Sequence, residues 1–215
     1  MKVGIIGSGN VGSTFAFALL FQDFVSHIYI TSRDRPKLSG IVDDLMDAGY
    51  PKKKLIRKCT IKDMHKTDII IYCAGIRQKP DQDRKELFPE NFSIADKYIS
   101  KLAGYKNPII IVSNPVDMIT KKLEEKYPKL NLISTGLRID GIRLRQLSGK
   151  AEIRGSHDGE QMAIVNGKES KALTEKVRAK ANSIIKKKGF TCYGIAMVLV
   201  DMIREVKLSN EKAGE

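Results

Sequence analysis

The stretch from Met1 to Arg33 limits the possible folds more than any other part of this chain. Lys2-Val3-Gly4-Ile5-Ile6 is an apolar run long enough for one buried strand, and it leads directly into Gly7-Ser8-Gly9-Asn10-Val11-Gly12. Ser13 to Phe21 follows, apolar and small and free of proline and glycine, as suits a buried helix; Ile28-Tyr29-Ile30 is a second short run. Strand, glycine-rich turn, helix and strand in this spacing describe a dinucleotide-binding unit. Gly7 permits the tight turn. Gly9 lets the backbone approach a pyrophosphate because no Cβ intervenes, and Gly12 lets the helix pack close to the strand. With Asn10 and Val11 the turn opens a helix whose free N–H groups and positive dipole end suit phosphates. The bland alternative is a structural turn that needs only small residues; the place after a strand and before a helix favours the dinucleotide.

The end of the second strand departs from the common pattern. NAD-binding units place Asp or Glu about 20 residues past the last glycine to hold the ribose hydroxyls. Here the residues are Thr31, Ser32 and Arg33. A carboxylate repels a 2′-phosphate, whereas hydroxyls and a guanidinium bind one, so the stretch favours NADP over NAD. The competing reading leaves Arg33 as a solvated loop charge and gives the ribose to Asp34.

At 215 residues the chain is long enough for one domain, or one domain with a small second lobe, and 42% hydrophobic with 29% charged residues is a soluble globular composition. No stretch approaches a membrane span, and a first strand starting at Lys2 leads us to expect no signal peptide. Cys59, Cys73 and Cys192 are scattered without metal spacing, which reads as free thiols in a reducing cytoplasm and no metal site. The net charge of +13 raises the question of nucleic acid. The lysines are spread (52–54, 121–122, 186–188) with no aromatic interleaving, so solvated faces are the preferred reading. A positive field also draws in an anionic cofactor and substrate.

Beyond Arg33, Pro36 to Ala48 reads as a helix with Leu38, Ile41, Val42 and Leu45 on one face. Leu55 to Cys59, Ile69 to Cys73, Ile109 to Val112 and Leu130 to Ser134 read as strands; Lys85 to Ala103 and Met118 to Lys126 read as helices. The alternation, with strands apolar throughout, implies an α/β doubly wound parallel sheet. After Gly136 the pattern is helix (Asp140 to Leu147), strand (Ala151 to Gly155), helix (Thr174 to Lys187, broken by Gly189) and an amphipathic helix from Ile195 to Val206.

In order along the chain, the Gly7 turn, Asp44-Leu45, Ala74-Gly75, Arg84, Ser113-Asn114-Pro115-Val116-Asp117, Asp140 with Arg143, Gly155-Ser156-His157 and Lys188-Gly189-Phe190-Thr191 resemble the L-lactate/malate dehydrogenases. The resemblance implies a Rossmann domain over 1–135 and a reduced α+β catalytic lobe over 136–215. It also implies hydride transfer between NAD(P) and a small anionic 2-hydroxy acid or 2-oxoacid. His157 matches the family's acid/base, a role suited to a pKa near neutrality. Asp140 matches the imidazole's partner, and Arg143 the planar fork that grips the substrate carboxylate. Arg84 matches a guanidinium on a closing loop that polarises the carbonyl. Asn114 matches a residue touching substrate and cofactor, Thr191 and Ile195 late-helix contacts to the substrate and the nicotinamide, and Ala74 and Gly75 the cofactor. Gln78, before Lys79-Pro80, matches the position where glutamine favours pyruvate-like acids and arginine favours oxaloacetate; Arg77 beside it keeps malate open.

Taken singly, each has a plainer reading: His157 as structural, Asp140 and Arg143 as a surface helical pair, Asn114-Pro115 as a turn. His27 and His65 carry no role. The chain also departs from the family. Asp81 replaces a loop glycine, the family's His-Gly-Asp is His157-Asp158-Gly159, and the final strands and helix of the family have no counterpart. Apolar surface left by that difference implies a homo-oligomer, a dimer or tetramer. The alternative reading is a catalytically weakened dinucleotide-binding module that serves as a binding or scaffold protein.

Overall fold

The computed structural model describes residues 1–79 and 82–213. The chain runs β1 (Lys2–Ile6), α1 (Asn10–Leu19), β2 (His27–Thr31), α2 (Arg35–Gly49), β3 (Leu55–Lys58), β4 (Ile69–Tyr72), α3 (Phe88–Ile99), β5 (Ile109–Ile111), α4 (Val116–Lys126) and β6 (Leu132–Ser134). It continues with α5 (Arg138–Ser148), β7 (Ala151–Gly155), β8 (Gln161–Val165), β9 (Lys168–Ser170), α6 (Lys171–Lys188) and α7 (Tyr193–Ala213).

Strands β1 to β6 form one parallel sheet in the order β3-β2-β1-β4-β5-β6. Side chains alternate across a strand, so each strand feeds two cores. Val3, Ile5, Ile28, Ile30, Ile69 and Ile71 face α1, α2 and α7 on one side. Ile6, Ile70, Tyr72, Ile109 and Ile111 face α3 and α4 on the other. Burial on both faces is why the strands are continuous isoleucine runs. The sheet is doubly wound, as the sequence implies. Its strand order reverses between β1 and β4, and a ligand crevice opens beyond the carboxyl ends of strands at such a point. Strands β7, β8 and β9 form a separate antiparallel sheet. Helix α7 returns to the first core, where Ala196, Val198, Leu199 and Ile203 pack in the cluster that contains Phe15 and Leu19 of α1.

Two expectations are corrected. The single helix expected from Lys85 to Ala103 is a 3-10 turn at Arg84–Leu87, then α3, then a second 3-10 turn at Ser100–Leu102. Pro89 lies in the first turn of α3, a place suited to a residue without an N–H and unsuited to a helix interior. The region after Gly159, read without a strand, forms the β8–β9 hairpin. Its turn, Asn166-Gly167, has φ of 50° and 76°. Asn-Gly with positive φ at both positions is the favoured two-residue hairpin turn, so the signal was present in the sequence. Among the described residues no helix is long and apolar enough to cross a membrane. Asp81, the position of the family's loop glycine, lies outside the described residues.

The glycine turn separates packing from function. A Cβ on Gly12 would lie 2.0 Å from the Gly7 carbonyl oxygen and 2.9 Å from Cys73 Sγ, whereas a Cβ on Gly9 meets nothing within 4 Å. We therefore expect Gly12→Ala to lower the unfolding free energy by roughly 1–3 kcal/mol in urea titrations. Gly9→Ala should leave stability nearly unchanged and weaken dinucleotide binding. Equal stability losses in both variants would contradict this division.

Candidate active site

The first half of the site is the crevice above β1 and β4. Gly7 turns at φ +114°, with its N–H donating to the Thr31 carbonyl at 2.8 Å. A Cβ there would lie 2.7 Å from the backbone nitrogen of Ala74, so the backbones of the β1 and β4 turns approach closely, and Cys73 Sγ donates to the Gly7 carbonyl at 3.2 Å. Helix α1 begins with Gly9 as N-cap, without a side-chain cap and without an acidic residue in its first turn. Its N–H groups and dipole end are thus available to an anion. A cavity of about 300 Å³ opens here, lined by Gly9, Asn10, Val11, Gly75, Asn114 and Thr191 among others. An open backbone cradle at a helix N-terminus fits the diphosphate of a dinucleotide.

The neighbouring positions have different surroundings. Gly7 and Ala74 shape the turns rather than line the cavity; the Ala74 carbonyl accepts from Ser113 Oγ at 2.7 Å. Thr31 is only 2% exposed, which leaves Ser32 and Arg33 as the solvent-facing pair at the end of β2. The Asp34 carboxylate accepts from the Lys37 N–H at 3.1 Å and caps α2.

The second half of the site is a cavity of about 330 Å³ that shares Val11, Gln78, Val112, Asn114, Ile185 and Thr191 with the first. Arg84, Arg143, His157 and Ile195 line it. Asp140 and Arg143 sit three residues apart on the buried face of α5, and they are not a surface pair: Asp140 is 2% exposed and Arg143 8%. Arg143 Nη1 donates to Asp140 Oδ1 at 3.0 Å, while the other oxygen, Oδ2, pairs with His157 Nδ1. Burial presses the Arg143 guanidinium below its ordinary value, and Asp140 offsets part of that. On the far side of the ring, Arg84 Nη1 meets His157 Nε2 and also donates to the His157 carbonyl at 3.3 Å. A guanidinium has no acceptor, so Nε2 must accept and the imidazole proton resides on Nδ1, facing Asp140. Nδ1 thus faces Asp140, and Nε2 is turned into the cavity beside a cation.

The loop that carries Arg84 is tied to itself. Gln78 Nε2 donates to the Gln82 carbonyl at 2.8 Å, and the Lys85 N–H donates to Asp83 Oδ1 at 2.9 Å to start the turn whose Leu87 is buried. Gln78 reaches both cavities, whereas Arg77 lies over the Phe190 ring, 5.6 Å from its centroid.

Asn91 escaped the sequence reading, and Asp117 entered it only as the last residue of the 113–117 landmark, without a role. Asn91, 1% exposed, accepts from the Ile76 N–H at 2.7 Å and donates to the Asn114 carbonyl at 2.6 Å, joining the loops that follow β4 and β5. Its signal was a polar residue in register with the buried Ala95 and Ile99 of α3. Asp117 accepts from Ser156 Oγ and from the His157 N–H, both at 2.7 Å. Nothing local in the sequence marks that contact.

Comparison with known proteins gives the same picture over the whole chain. Residues 1–133 match the family model described as lactate/malate dehydrogenase, NAD binding domain, and residues 148–213 match lactate/malate dehydrogenase, alpha/beta C-terminal domain. L-lactate dehydrogenase 1 of Lactococcus lactis subsp. cremoris is 29% identical over 247 aligned positions, covering 99% of this chain and 76% of its own. The L-lactate dehydrogenase of Streptococcus pyogenes serotype M1 is 30% identical, with 99% and 75% covered. Among solved structures, malate dehydrogenase from Archaeoglobus fulgidus in complex with NADH superposes with a TM-score of 0.83 at 27% identity, covering 95% of this chain and 76% of that one. The minor L-lactate dehydrogenase from Enterococcus mundtii gives 0.78 at 26%, covering 92% and 74%. The two family models together cover most of the chain, including every residue of the glycine turn and the whole antiparallel sheet, and this chain belongs to the lactate/malate dehydrogenase family.

Proposed function

We propose that this chain interconverts a small 2-oxoacid and its 2-hydroxy acid, with a nicotinamide dinucleotide as redox partner and His157 as acid/base. The observation that carries this reading is the position of the His157 ring, with Asp140 on Nδ1 and Arg84 facing Nε2. Gly9, Asn10, Val11 and Gly75, which line the first cavity, would hold a nicotinamide dinucleotide, which would supply or accept the hydride. The residues of this chain account for the rest of the balance. In the oxidative direction His157 Nε2 takes the hydroxyl proton as the C2–H leaves as hydride, and Asp140 stabilises the imidazolium. In the reductive direction the protonated Nε2 returns that proton to the oxygen of the carbonyl. Arg84, across from Nε2, stabilises charge on that oxygen. Arg143 offers a guanidinium to the carboxylate, held in place by Asp140. Asn114 and Thr191 line both cavities, as contacts shared by the two ligands would require; Ile195 lines the second.

The cofactor reading goes one step further, to NADPH in preference to NADH. Its support is that Asp34, next in sequence to Arg33, caps α2 through its Oδ1. That leaves a hydroxyl and a guanidinium to face the adenine ribose.

A spectrophotometric assay at the nicotinamide band, with NADH and NADPH crossed against pyruvate, oxaloacetate and a branched 2-oxoacid, tests these readings together. We expect turnover with at least one oxoacid and a lower KM for NADPH. His157→Asn should reduce turnover by at least ~100-fold with little change in cofactor Kd. A clear NADH preference removes the NADPH reading alone. Cofactor binding without turnover in the parent protein favours a dinucleotide-binding module over an enzyme.

A further inference from the structure

We propose that Asp117 and Asp158 are positioning residues for His157: each carboxylate is held by the other's backbone element, and together they register the 156–158 turn against the nicotinamide half of the cleft. This inference rests on the reading of His157 as acid/base.

The argument starts at the N-terminus of α4. Its N-cap is Pro115, which has no side-chain acceptor, so the first N–H groups of the helix need one from elsewhere. Asp158 provides it from another part of the chain. Its Oδ2 accepts from the Asp117 N–H at 2.6 Å and the Met118 N–H at 3.3 Å. A carboxylate at a helix N-terminus is favoured by the dipole as well as by the hydrogen bonds.

The contact is returned. Asp117 Oδ2 accepts from Ser156 Oγ and the His157 N–H, each at 2.7 Å, and its Oδ1 accepts from Ser134 Oγ at 2.6 Å. Ser156 Oγ in turn accepts from the Asp158 N–H at 3.3 Å. The residues on both sides of His157 are therefore fastened to the β5–α4–β6 part of the parallel sheet, although His157 follows β7 in the antiparallel one. Asn114, which lines both cavities, lies just before α4 on that same part of the sheet. The histidine's backbone thus takes its position from the element that lines the nicotinamide side, and its ring takes its orientation from Asp140 on α5.

This arrangement has a cost. Asp158 is 6% exposed and its Oδ1 has no hydrogen-bond partner among the described residues. Burial pushes its carboxyl up, and the neighbouring Asp117 adds to that. Asp117 is also penalised by burial, yet the hydrogen bonds from Ser134, Ser156 and His157 hold it below the usual carboxylate value. Asp158 stands where the family's pattern has glycine, so the lock is a feature of this chain's own sequence.

A helix cap that served stability alone would leave the folded enzyme's turnover intact; a positioning residue would not. We expect Asp158→Ala to lower kcat by about 10- to 100-fold, the scale of a sub-ångström to ångström misplacement of a catalytic group, while cofactor Kd holds. Asp158→Asn keeps an amide oxygen for the two N–H groups and should recover most of kcat. A lowered melting temperature with unchanged kcat per folded molecule in Asp158→Ala overturns the proposal. The second readout needs no turnover. Imidazole ¹⁵N–¹H correlation spectra, with the His157 signal identified by its loss in His157→Asn, should show the Nδ1–H tautomer in the parent. In Asp158→Ala, or in Ser156→Ala should that variant fail to fold, the spectrum should show a mixture of tautomers. An unchanged His157 spectrum also overturns the proposal. A parent protein inactive on every 2-oxoacid would remove the functional reading and still leave the lock to be judged on the spectra.

Discussion

The site depends on one buried carboxylate with two partners. Asp140 gives Oδ1 to Arg143 and Oδ2 to His157, and it is almost wholly removed from solvent. A buried charge of this kind persists only if it is paired and hydrogen-bonded, and removing one partner of such a pair typically costs about 3–5 kcal/mol. Each member of the trio therefore constrains the others. The carboxylate orients the imidazole through Nδ1, and the ion pair holds the Arg143 guanidinium at the wall of the same cavity, as the proposed acid/base and carboxylate-binding roles require. Two of the three reside on α5, while the third arrives from the turn after β7. The chemistry thus requires that the antiparallel lobe be docked correctly on the parallel sheet.

That docking combines directional polar contacts with apolar packing. The core of the lobe is small, with Leu144, Ala163 and Val177 as its buried centre, whereas each face of the parallel sheet carries a far larger cluster. The connections that matter to the site are Asp117 to Ser156 and His157, Asp158 to the start of α4, and Arg84 to His157. Helix α7 adds the apolar part by packing beside α1. Directional contacts tolerate less displacement than hydrophobic ones, which suits the registration of a proton donor against a hydride donor.

Much of this was legible in the sequence for physical reasons. The isoleucine runs at 69–71 and 109–111 are satisfied by burial on two faces, and the glycines at 7 and 12 answer steric demands of the turn, while the space at Gly9 is open. His157, Asp140, Arg143 and Arg84 were legible only jointly, through the resemblance to the lactate/malate dehydrogenases, and the fold brings them together. What the sequence obscured was non-local. Asp117 and Asp158 look like ordinary loop and helix-start acids, since their partners lie some forty positions away, the Asp117 N–H to Asp158 Oδ2 contact spanning 41. Asn91 was hidden by a helix whose stripe is otherwise apolar. The β8–β9 hairpin was missed although Asn166-Gly167 marked it, because its strands are short and only partly buried. Thr31, read from the sequence as a cofactor contact, is almost wholly buried, whereas Ser32 and Arg33 beside it are not.

The central claim is that hydride passes between a nicotinamide and C2 of a small acid while His157 handles the proton. Isotope tracing tests it most directly. With reduced cofactor deuterated at the transferred C4 position and a 2-oxoacid substrate in ordinary water, the account predicts that the 2-hydroxy acid product carries the deuterium at C2, read by mass spectrometry or NMR. A product whose C2 hydrogen comes from solvent, or a cofactor that keeps its label while product forms, would contradict it.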